Sequence, residues 1–302
     1  MNKETFGKVA VLLGGTSNER EISINSGQSV LRALKRNGID AIGIDPKTDN
    51  LEQLKLFDRI FICLHGKDGE DGKIQKHLDI LKIPYTGNGA AASSLCMNKY
   101  LAKKQWAKDN VPTPLFMLAN SSDDYTILKK YFGDVFILKP ASSGSSLGVS
   151  IVKNNNDFME AFDSASRIDS TIIAETYIGG NEYAIPILNN AALPIIEIKP
   201  KTNFYNFDAK YNRHDTEFIC PANLSKEFVE KINEKSLDAF FSLGCTGYGR
   251  VDFMVDDKKN LFFIEVNTIP GFTDHSLMPM SAKVIGKNFD DLVLDILGET
   301  SD

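Results

Sequence analysis

The sequence lacks several features that would assign it to a specialised class of protein. No stretch approaches about 18 consecutive apolar residues, which excludes a transmembrane helix. The four cysteines form no C-x-x-C pair and the four histidines show no zinc spacing, so a zinc site is excluded and reduced thiols in a cytoplasmic protein are expected. The first apolar stretch is short, strand-like and without a small-residue cleavage site, which argues against a signal peptide.

An excess of positive charge is also missing. Lysine and arginine number 34 against 40 aspartates and glutamates, which gives a formal net charge of −6, and the basic residues are dispersed. This balance argues against nucleic acid or an anionic membrane as the main partner. Apolar residues make up 42% and charged residues 25%, as in an ordinary globular enzyme. The length of 302 residues predicts about two domains.

The first third of the chain alternates strand and helix patterns. Residues 8–13 (KVAVLL) form a continuous apolar run that ends in Gly14-Gly15, which is typical of a buried parallel strand. Further strands are predicted at residues 41–44 and 60–64, and helices at residues 22–35 and 74–81. Such repeated units predict a doubly wound parallel sheet, whose functional groups collect at the carboxyl ends of the strands. Gly14-Gly15 and His65-Gly66 lie at such ends.

The rest of the chain predicts a mixed α+β region. Helices continue through residues 90–110, until Pro112 and Pro114 mark a boundary. Strands are predicted at residues 135–139, 149–152, 171–175, 182–188, 193–198, 217–220, 249–255 and 261–266. Helices are predicted at residues 157–164, 226–243 and 290–297. The fold class is therefore α/β (α+β), with an N-terminal doubly wound parallel domain.

A loop of small residues between two predicted strands suits a phosphate group. Residues 141–148 (ASSGSSLG) directly follow Lys139-Pro140. Backbone N–H groups and serine hydroxyls of such a loop can surround phosphate oxygens, and Lys139 supplies a point charge. The G-x-x-x-x-G-K-[ST] order of a P-loop is absent. A polar hairpin without a ligand is the alternative.

Two neighbouring strands carry polar residues at alternate positions. Arg250 and Asp252 share one face of the first strand, and Glu265 and Asn267 share one face of the second. If the two faces coincide, two carboxylates and an amide oxygen converge beside an arginine, a donor set that suits Mg²⁺ held together with phosphate. Polar groups on a dry core face would cost free energy. A solvated face is the alternative.

Three further motifs are less specific. The stretch 265–277 (EVNTIPGFTDHSL) follows the candidate metal strand, and a glycine N–H there can approach a reacting oxygen closely. Glu19, at a helix start, suits either a substrate ammonium or a simple N-cap. The stretch 65–72 (HGKDGEDG) is either part of a site or a long turn.

Taken together, these motifs resemble one family. GGTSNEREIS, HGKDGEDG, MNK, ILKPASSGSSLGVS, DAKY, GRVDFM and EVNTIPGFTDHSL occur in the order found in D-alanine–D-alanine ligases, and the resemblance runs from Val9 to about Leu297. It implies an ATP-grasp fold with an N-terminal α/β domain (1–96), a central subdomain (97–180) and a C-terminal subdomain (181–302). It also implies that two D-alanines are joined through an acyl phosphate for peptidoglycan synthesis, with release of ADP and phosphate.

The resemblance assigns roles to individual residues of this sequence. Catalytic roles are implied for Glu19, Ser145, Tyr211, Arg250, Gly271 and Ser276. D-alanine binding is implied for Glu19, His65, Arg250, Gly271, Ser276 and Leu277. Nucleotide binding is implied for Lys99, Lys139, Ser145, Ser146, Glu175, Tyr177, Ile178, Glu182 and Lys210. Metal ligation is implied for Asp252, Glu265 and Asn267.

The same resemblance implies the ligands and the setting. ATP is the co-substrate, with two Mg²⁺ ions per active site that Mn²⁺ can replace, in a cytoplasmic homodimer that binds neither nucleic acid nor membrane. Three alternatives stay open: a ligase that makes a D-alanine–D-lactate ester, another ATP-grasp carboxylate–amine ligase, and a non-catalytic nucleotide-binding protein. The last would be marked by loss of Arg250 or of a metal ligand, and all are present.

Overall fold

The N-terminal part of the chain forms the predicted parallel sheet. A computed structural model of the protein describes residues 6–201 and 216–301. The first elements are β1 (Val9–Leu12), α1 (Arg20–Arg36), β2 (Ala41–Ile44), a 3₁₀ helix (Leu51–Leu56), β3 (Arg59–Ile62) and α2 (Lys73–Leu81). The strand order is β2-β1-β3, and both pairs are parallel. Alternate residues of β1 enter two different cores, because Val9 and Val11 contact the α1 side whereas Ala10 and Leu12 contact the α2 side.

The central part of the chain is built on a second sheet. Its elements are α3 (Ala90–Met97), α4 (Lys99–Lys108), β4 (Phe116–Ala119), α5 (Tyr125–Phe132), β5 (Phe136–Pro140), β6 (Ser150–Val152), α6 (Asn155–Ser166) and β7 (Ile172–Thr176). The strand order is β4-β7-β5-β6, with antiparallel pairs throughout. The sequence patterns missed β4, a four-residue edge strand whose side chains are mostly half-buried, and the short helix α5 after it.

The C-terminal part carries a larger antiparallel sheet, as predicted. Its elements are β8 (Asn181–Leu188), β9 (Ala191–Ala192), β10 (Ile196–Lys199), β11 (Glu217–Ile219), α7 (Lys226–Ser242), β12 (Gly249–Val255), β13 (Leu261–Asn267), α8 (Leu277–Val284), α9 (Phe289–Gly298) and a final 3₁₀ turn (Glu299–Ser301). The strand order is β11-β10-β8-β12-β13, with β9 on β8. Helix α8 was not predicted, and β10 begins later than the predicted strand.

The last helix returns to the first sheet. Leu292 and Ile296 of α9 share a core with Val30 and Leu34 of α1. Within the described ranges no helix is both long and apolar enough to cross a bilayer. The four cysteines are free thiols; Cys63, Cys96 and Cys245 are buried, whereas Cys220 is half-buried.

Candidate active site

A deep cavity lies between the central and the C-terminal sheets. It measures about 490 Å³ and has an apolar wall on each side, formed by Ile137 of β5 and by Met254 and Ile264 of β12 and β13. Every described residue predicted to bind nucleotide lines it, apart from Ser145; these are Lys99, Lys139, Ser146, Glu175, Tyr177, Ile178 and Glu182. A slot that combines apolar walls with charged side chains suits a flat base carrying phosphates.

Lysines surround the polar end of the cavity. Lys99 Nζ lies 3.0 Å from a carboxylate oxygen of Glu265 and donates to the Ser143 carbonyl at 2.6 Å. Lys139 Nζ lies 2.9 Å from Glu175 Oε1. Burial opposes ionisation of Glu175, but the neighbouring lysine ammonium groups outweigh it and hold the pKa of this carboxyl below its usual value. The cavity therefore keeps positive charge at the end where phosphates are expected.

Lys103, which was not predicted from the sequence, stands behind the cavity lining. Its side chain is 0% exposed, and its ammonium lies 3.4 Å from Glu175 Oε1. Burial lowers the pKa of Lys103 to about 7. A usable signal was present in the sequence, since Lys103 lies four residues after Lys99 and therefore on the same face of α4.

The two polar strand faces coincide, which meets the condition set for a metal site. In the β12–β13 pair Arg250 lies opposite Asn267, and Asp252 lies opposite Glu265. Arg250 donates from Nε to Asp252 Oδ1 at 2.7 Å and from a terminal nitrogen to Oδ2 at 2.8 Å. Asn267 donates to Asp252 Oδ2 at 2.9 Å. Asp252 is buried, whereas Arg250, Glu265 and Asn267 are half-buried, so the face is largely but not wholly shielded from solvent.

This group of side chains fits a divalent cation. Asp252 and Glu265 face each other from rigid strands, and the Asn267 amide adds a hard oxygen. Each carboxylate already forms an ion pair with a cationic side chain, Asp252 with Arg250 and Glu265 with Lys99. Among the described residues no cluster of three or more His, Cys, Asp or Glu side chains is found. The metal hypothesis therefore rests on two carboxylates and one amide.

Glu19 connects the N-terminal sheet to the phosphate loop. It precedes α1 and makes no capping hydrogen bond with its side chain, so the N-cap interpretation is wrong. Instead the Ser145 hydroxyl donates to the Glu19 carboxylate across 126 residues of sequence. A Cβ added to Gly66 would lie 2.6 Å from Glu19 Oε2, and one added to Gly144 would lie 2.9 Å from it. Glycine at both positions thus allows the backbone to approach this carboxylate.

His65 is buried at the carboxyl end of β3. Its Nε2 lies 3.2 Å from Ser26 Oγ, which accepts a hydrogen bond from the Phe272 N–H at 3.0 Å. Burial, with a smaller contribution from the charge of Arg250, lowers the pKa of His65 to about 4. The ring is therefore neutral at neutral pH, and it joins the first sheet to the loop that follows β13.

Glu70, in the same motif, was not singled out by the sequence analysis. Its carboxylate accepts a hydrogen bond from the Gly66 N–H at 2.7 Å. Burial, and then the negative charge of Glu19, raises the pKa of Glu70 to about 8. The motif 65–72 is therefore more than a long turn, because it brings a second carboxyl group close to Glu19.

The loop after β13 brings Gly271 and Ser276 together. A Cβ on Gly271 would lie 3.5 Å from Ser276 Oγ. That hydroxyl accepts a hydrogen bond from the Thr273 N–H at 2.9 Å. Ser276 is the N-cap residue of α8, and Leu277 is the first residue of this helix. The remaining predicted residues, Lys210 and Tyr211, lie outside the described residues.

Solved structures define the class of this protein. The structure of a D-alanine–D-alanine ligase from Bacillus anthracis in complex with ATP matches with a TM-score of 0.84 and 32% identity, covering 98% of this chain and 97% of that one. The chain therefore has the ATP-grasp fold, as predicted.

Sequence comparison narrows this class to one family. The family profile described as D-ala D-ala ligase C-terminus matches residues 118–298, and the one described as D-ala D-ala ligase N-terminus matches residues 44–88. D-alanine–D-alanine ligase from Dechloromonas aromatica is 46% identical over 293 residues, covering 97% of each chain. The one from Saccharophagus degradans is 43% identical over 302 residues, covering 99% of this chain and 96% of the relative. The chain belongs to the D-alanine–D-alanine ligase family.

Proposed function

We propose that this chain joins two D-alanine molecules into D-alanyl-D-alanine, with cleavage of ATP to ADP and phosphate, through the described side chains of the cleft. The observation that carries the proposal is the contact between Ser145 and Glu19. It joins the carboxylate expected to bind an amino-acid ammonium to the loop expected to cover phosphates. The contact thereby brings together the binding sites of the two groups that react to form an acyl phosphate, the D-alanine carboxylate and the γ-phosphate of ATP. Positioning these groups is the main requirement for phosphoryl transfer.

In the first step the carboxylate of one D-alanine attacks the γ-phosphate of ATP. Glu19 binds the ammonium of this D-alanine, with neutral His65 beside it. Lys99 and Lys139 hold the phosphates, and the loop with Ser145 and Ser146 covers them. The products are ADP and a D-alanyl phosphate. Catalysis of this step depends mainly on the positioning of the substrates and on positive charge near the phosphates.

In the second step the amine of the other D-alanine attacks the acyl carbon. The carbonyl oxygen gains negative charge, and Arg250 and the Gly271 N–H stabilise it. Ser276 and Leu277 bind the carboxylate of this second D-alanine. The tetrahedral intermediate then expels phosphate and leaves the dipeptide.

Asp252, Glu265 and Asn267 are the residues that would hold Mg²⁺, two ions in all, with Mn²⁺ as a substitute. When bound, the metal supplies positive charge to the phosphate oxygens. The donor chemistry supports this assignment, since all three side chains offer hard oxygens on adjacent strands.

The chain divides into three functional segments, residues 1–96, 97–180 and 181–302. Supporting this division, each segment contains one of the three sheets. The protein is a homodimer in the cytoplasm under this proposal. The family resemblance supports the dimer, and the free cysteines support the location.

The test is a product assay on the purified chain with ATP, Mg²⁺ and equimolar D-alanine, D-lactate and D-serine. D-alanyl-D-alanine should be the main product, with one phosphate released per dipeptide. A dominant ester or a mixed dipeptide would refute the substrate assignment and leave the ATP chemistry intact. Stabilisation against heat by ATP without phosphate release would refute the enzyme itself and indicate a nucleotide-binding protein. Glu19→Gln is the matched variant, and it should raise the KM for D-alanine rather than that for ATP.

A further inference from the structure

Behind the phosphate end of the cavity lies a charged side chain that does not touch the cavity. Lys139 and Glu175 line the cavity, whereas Lys103 stands one layer further in. We propose that Lys103 is a positioning residue of the nucleotide site, which orients Lys139 and Glu175 for ATP without contacting ATP itself. This inference rests on the proposed function, because it concerns how that site binds its nucleotide.

The contacts of Lys103 leave its ammonium little freedom. The side chain is 0% exposed, and Nζ donates to Thr113 Oγ1 at 2.6 Å and lies 3.4 Å from Glu175 Oε1. The same carboxylate oxygen lies 2.9 Å from Lys139 Nζ. One buried carboxylate oxygen is therefore shared between two ammonium groups, one in the cavity wall and one behind it.

The charges of these three side chains explain why a second lysine is useful. With both lysines protonated, these three side chains together carry two positive charges and one negative charge, a net charge of +1. Without Lys103, Glu175 would pair with Lys139 alone, and that pair would be neutral. Coulomb attraction is strong where water is excluded, so Lys139 would then be held more tightly by Glu175 and less by a phosphate.

Lys103 also connects the two walls of the cavity. Thr113, its hydrogen-bond partner, donates to the carbonyl of Phe263 on β13 at 2.9 Å, whereas Glu175 belongs to β7 of the other sheet. One helical turn earlier on α4, Lys99 contacts Glu265, also on β13. Helix α4 thus reaches both sheets with two lysines on one face.

Packing alone does not account for a lysine at this position. A methionine has a similar length and would fill the same space without removing a charge from water, which is costly for an ammonium group. The buried charge is more simply explained by the groups it orients, because Lys103 contacts Glu175 of β7 on one side and, on the other, Thr113, which is hydrogen-bonded to β13.

The first test compares Lys103→Met with Lys108→Met, an exposed lysine of the same helix. Titration calorimetry with ATP, in the absence of D-alanine, should show that Lys103→Met weakens ATP binding about tenfold or more, as expected from losing a hydrogen bond to a charged group. The KM for D-alanine should not change, kcat at saturating ATP should stay within about threefold, and Lys108→Met should match wild type. Unchanged ATP affinity in a folded Lys103→Met protein would overturn the proposal.

The second test asks whether Lys103 acts through its neighbours. In a double-mutant cycle, Lys103→Met should weaken ATP binding much less in a Glu175→Gln background than in wild type. Additive effects would contradict action through Glu175. If Lys103→Met does not fold, Thr113→Val replaces it: this change should weaken ATP binding, and Thr113→Ser, which keeps the hydroxyl, should restore it. Wild-type ATP affinity in folded Thr113→Val would likewise overturn the proposal.

These readouts are independent of the reaction product. If wild type binds ATP but makes no dipeptide, the proposed function fails while the ATP-binding comparison of the Lys103 variants remains valid. If wild type makes dipeptide and the variants bind ATP normally, the proposed function stands and the inference about Lys103 fails.

Discussion

Replacing Arg250 by lysine separates the chemistry of the second step from nucleotide binding. The guanidinium donates two hydrogen bonds to Asp252, at 2.7 and 2.8 Å. Lysine keeps the positive charge, but its ammonium is a compact point charge that cannot span both oxygens and face an oxyanion as well. Loss of one preorganised donor at an oxyanion costs about 2.7–4 kcal/mol, so kcat should fall about 10²- to 10³-fold.

Steady-state phosphate release at saturating substrates measures this loss, and calorimetry measures ATP affinity. Affinity for ATP should stay within about threefold, because Arg250 is not part of the lining of the nucleotide cavity. Arg167→Lys is the matched control, since Arg167 forms an exposed pair with Asp163 at 2.6 Å. This control should behave as wild type. Equal damage to ATP affinity and to kcat in Arg250→Lys would contradict the oxyanion role of Arg250 and indicate that it belongs to the ATP site.

Three further changes test other parts of the site. Glu265→Gln should lower turnover at least ~10³-fold at saturating Mg²⁺, and more than a tenth of wild-type phosphate release would contradict its metal role. Gly66→Ala puts a Cβ 2.6 Å from a Glu19 oxygen, so the KM for D-alanine should rise with little change for ATP; an unchanged KM would argue against Glu19 as the ammonium site. The pKa of His65 is about 4 in the folded protein, below its ordinary value of 6.5. Between these two values the unfolded chain binds one more proton than the folded protein, so the free energy of unfolding falls as the pH drops from 6.5 to about 4. Denaturant unfolding from about pH 7 to 4.5 should cost wild type about 2–3 kcal/mol more than His65→Gln, and equal losses would count against a buried neutral ring.

The repeating patterns of the sequence were enough to predict most helices and strands, and also the polar strand faces that carry the candidate metal ligands. Strand alternation determines that Arg250 and Asp252 share a face, and the same holds for Glu265 and Asn267. A continuous apolar run likewise predicted β1, because such a run, like strand alternation, is a local property of the chain. Strand β4 was missed although it has the same four-residue length as β1, and its place at the sheet edge is set by tertiary packing.

The tertiary structure determines which of these strand faces lie next to each other. The pairing of β12 with β13 sets Asp252 opposite Glu265, and a shift of one residue would have separated them. The contact between Ser145 and Glu19 spans 126 residues, and no local pattern encodes it. The spacing from Lys99 places Lys103 on the site face of α4, but only the packing of the sheets around it buries its charge, which is rare for a lysine. The sequence determines which side chains each element can offer, whereas long-range packing and the exclusion of water determine which of them act together.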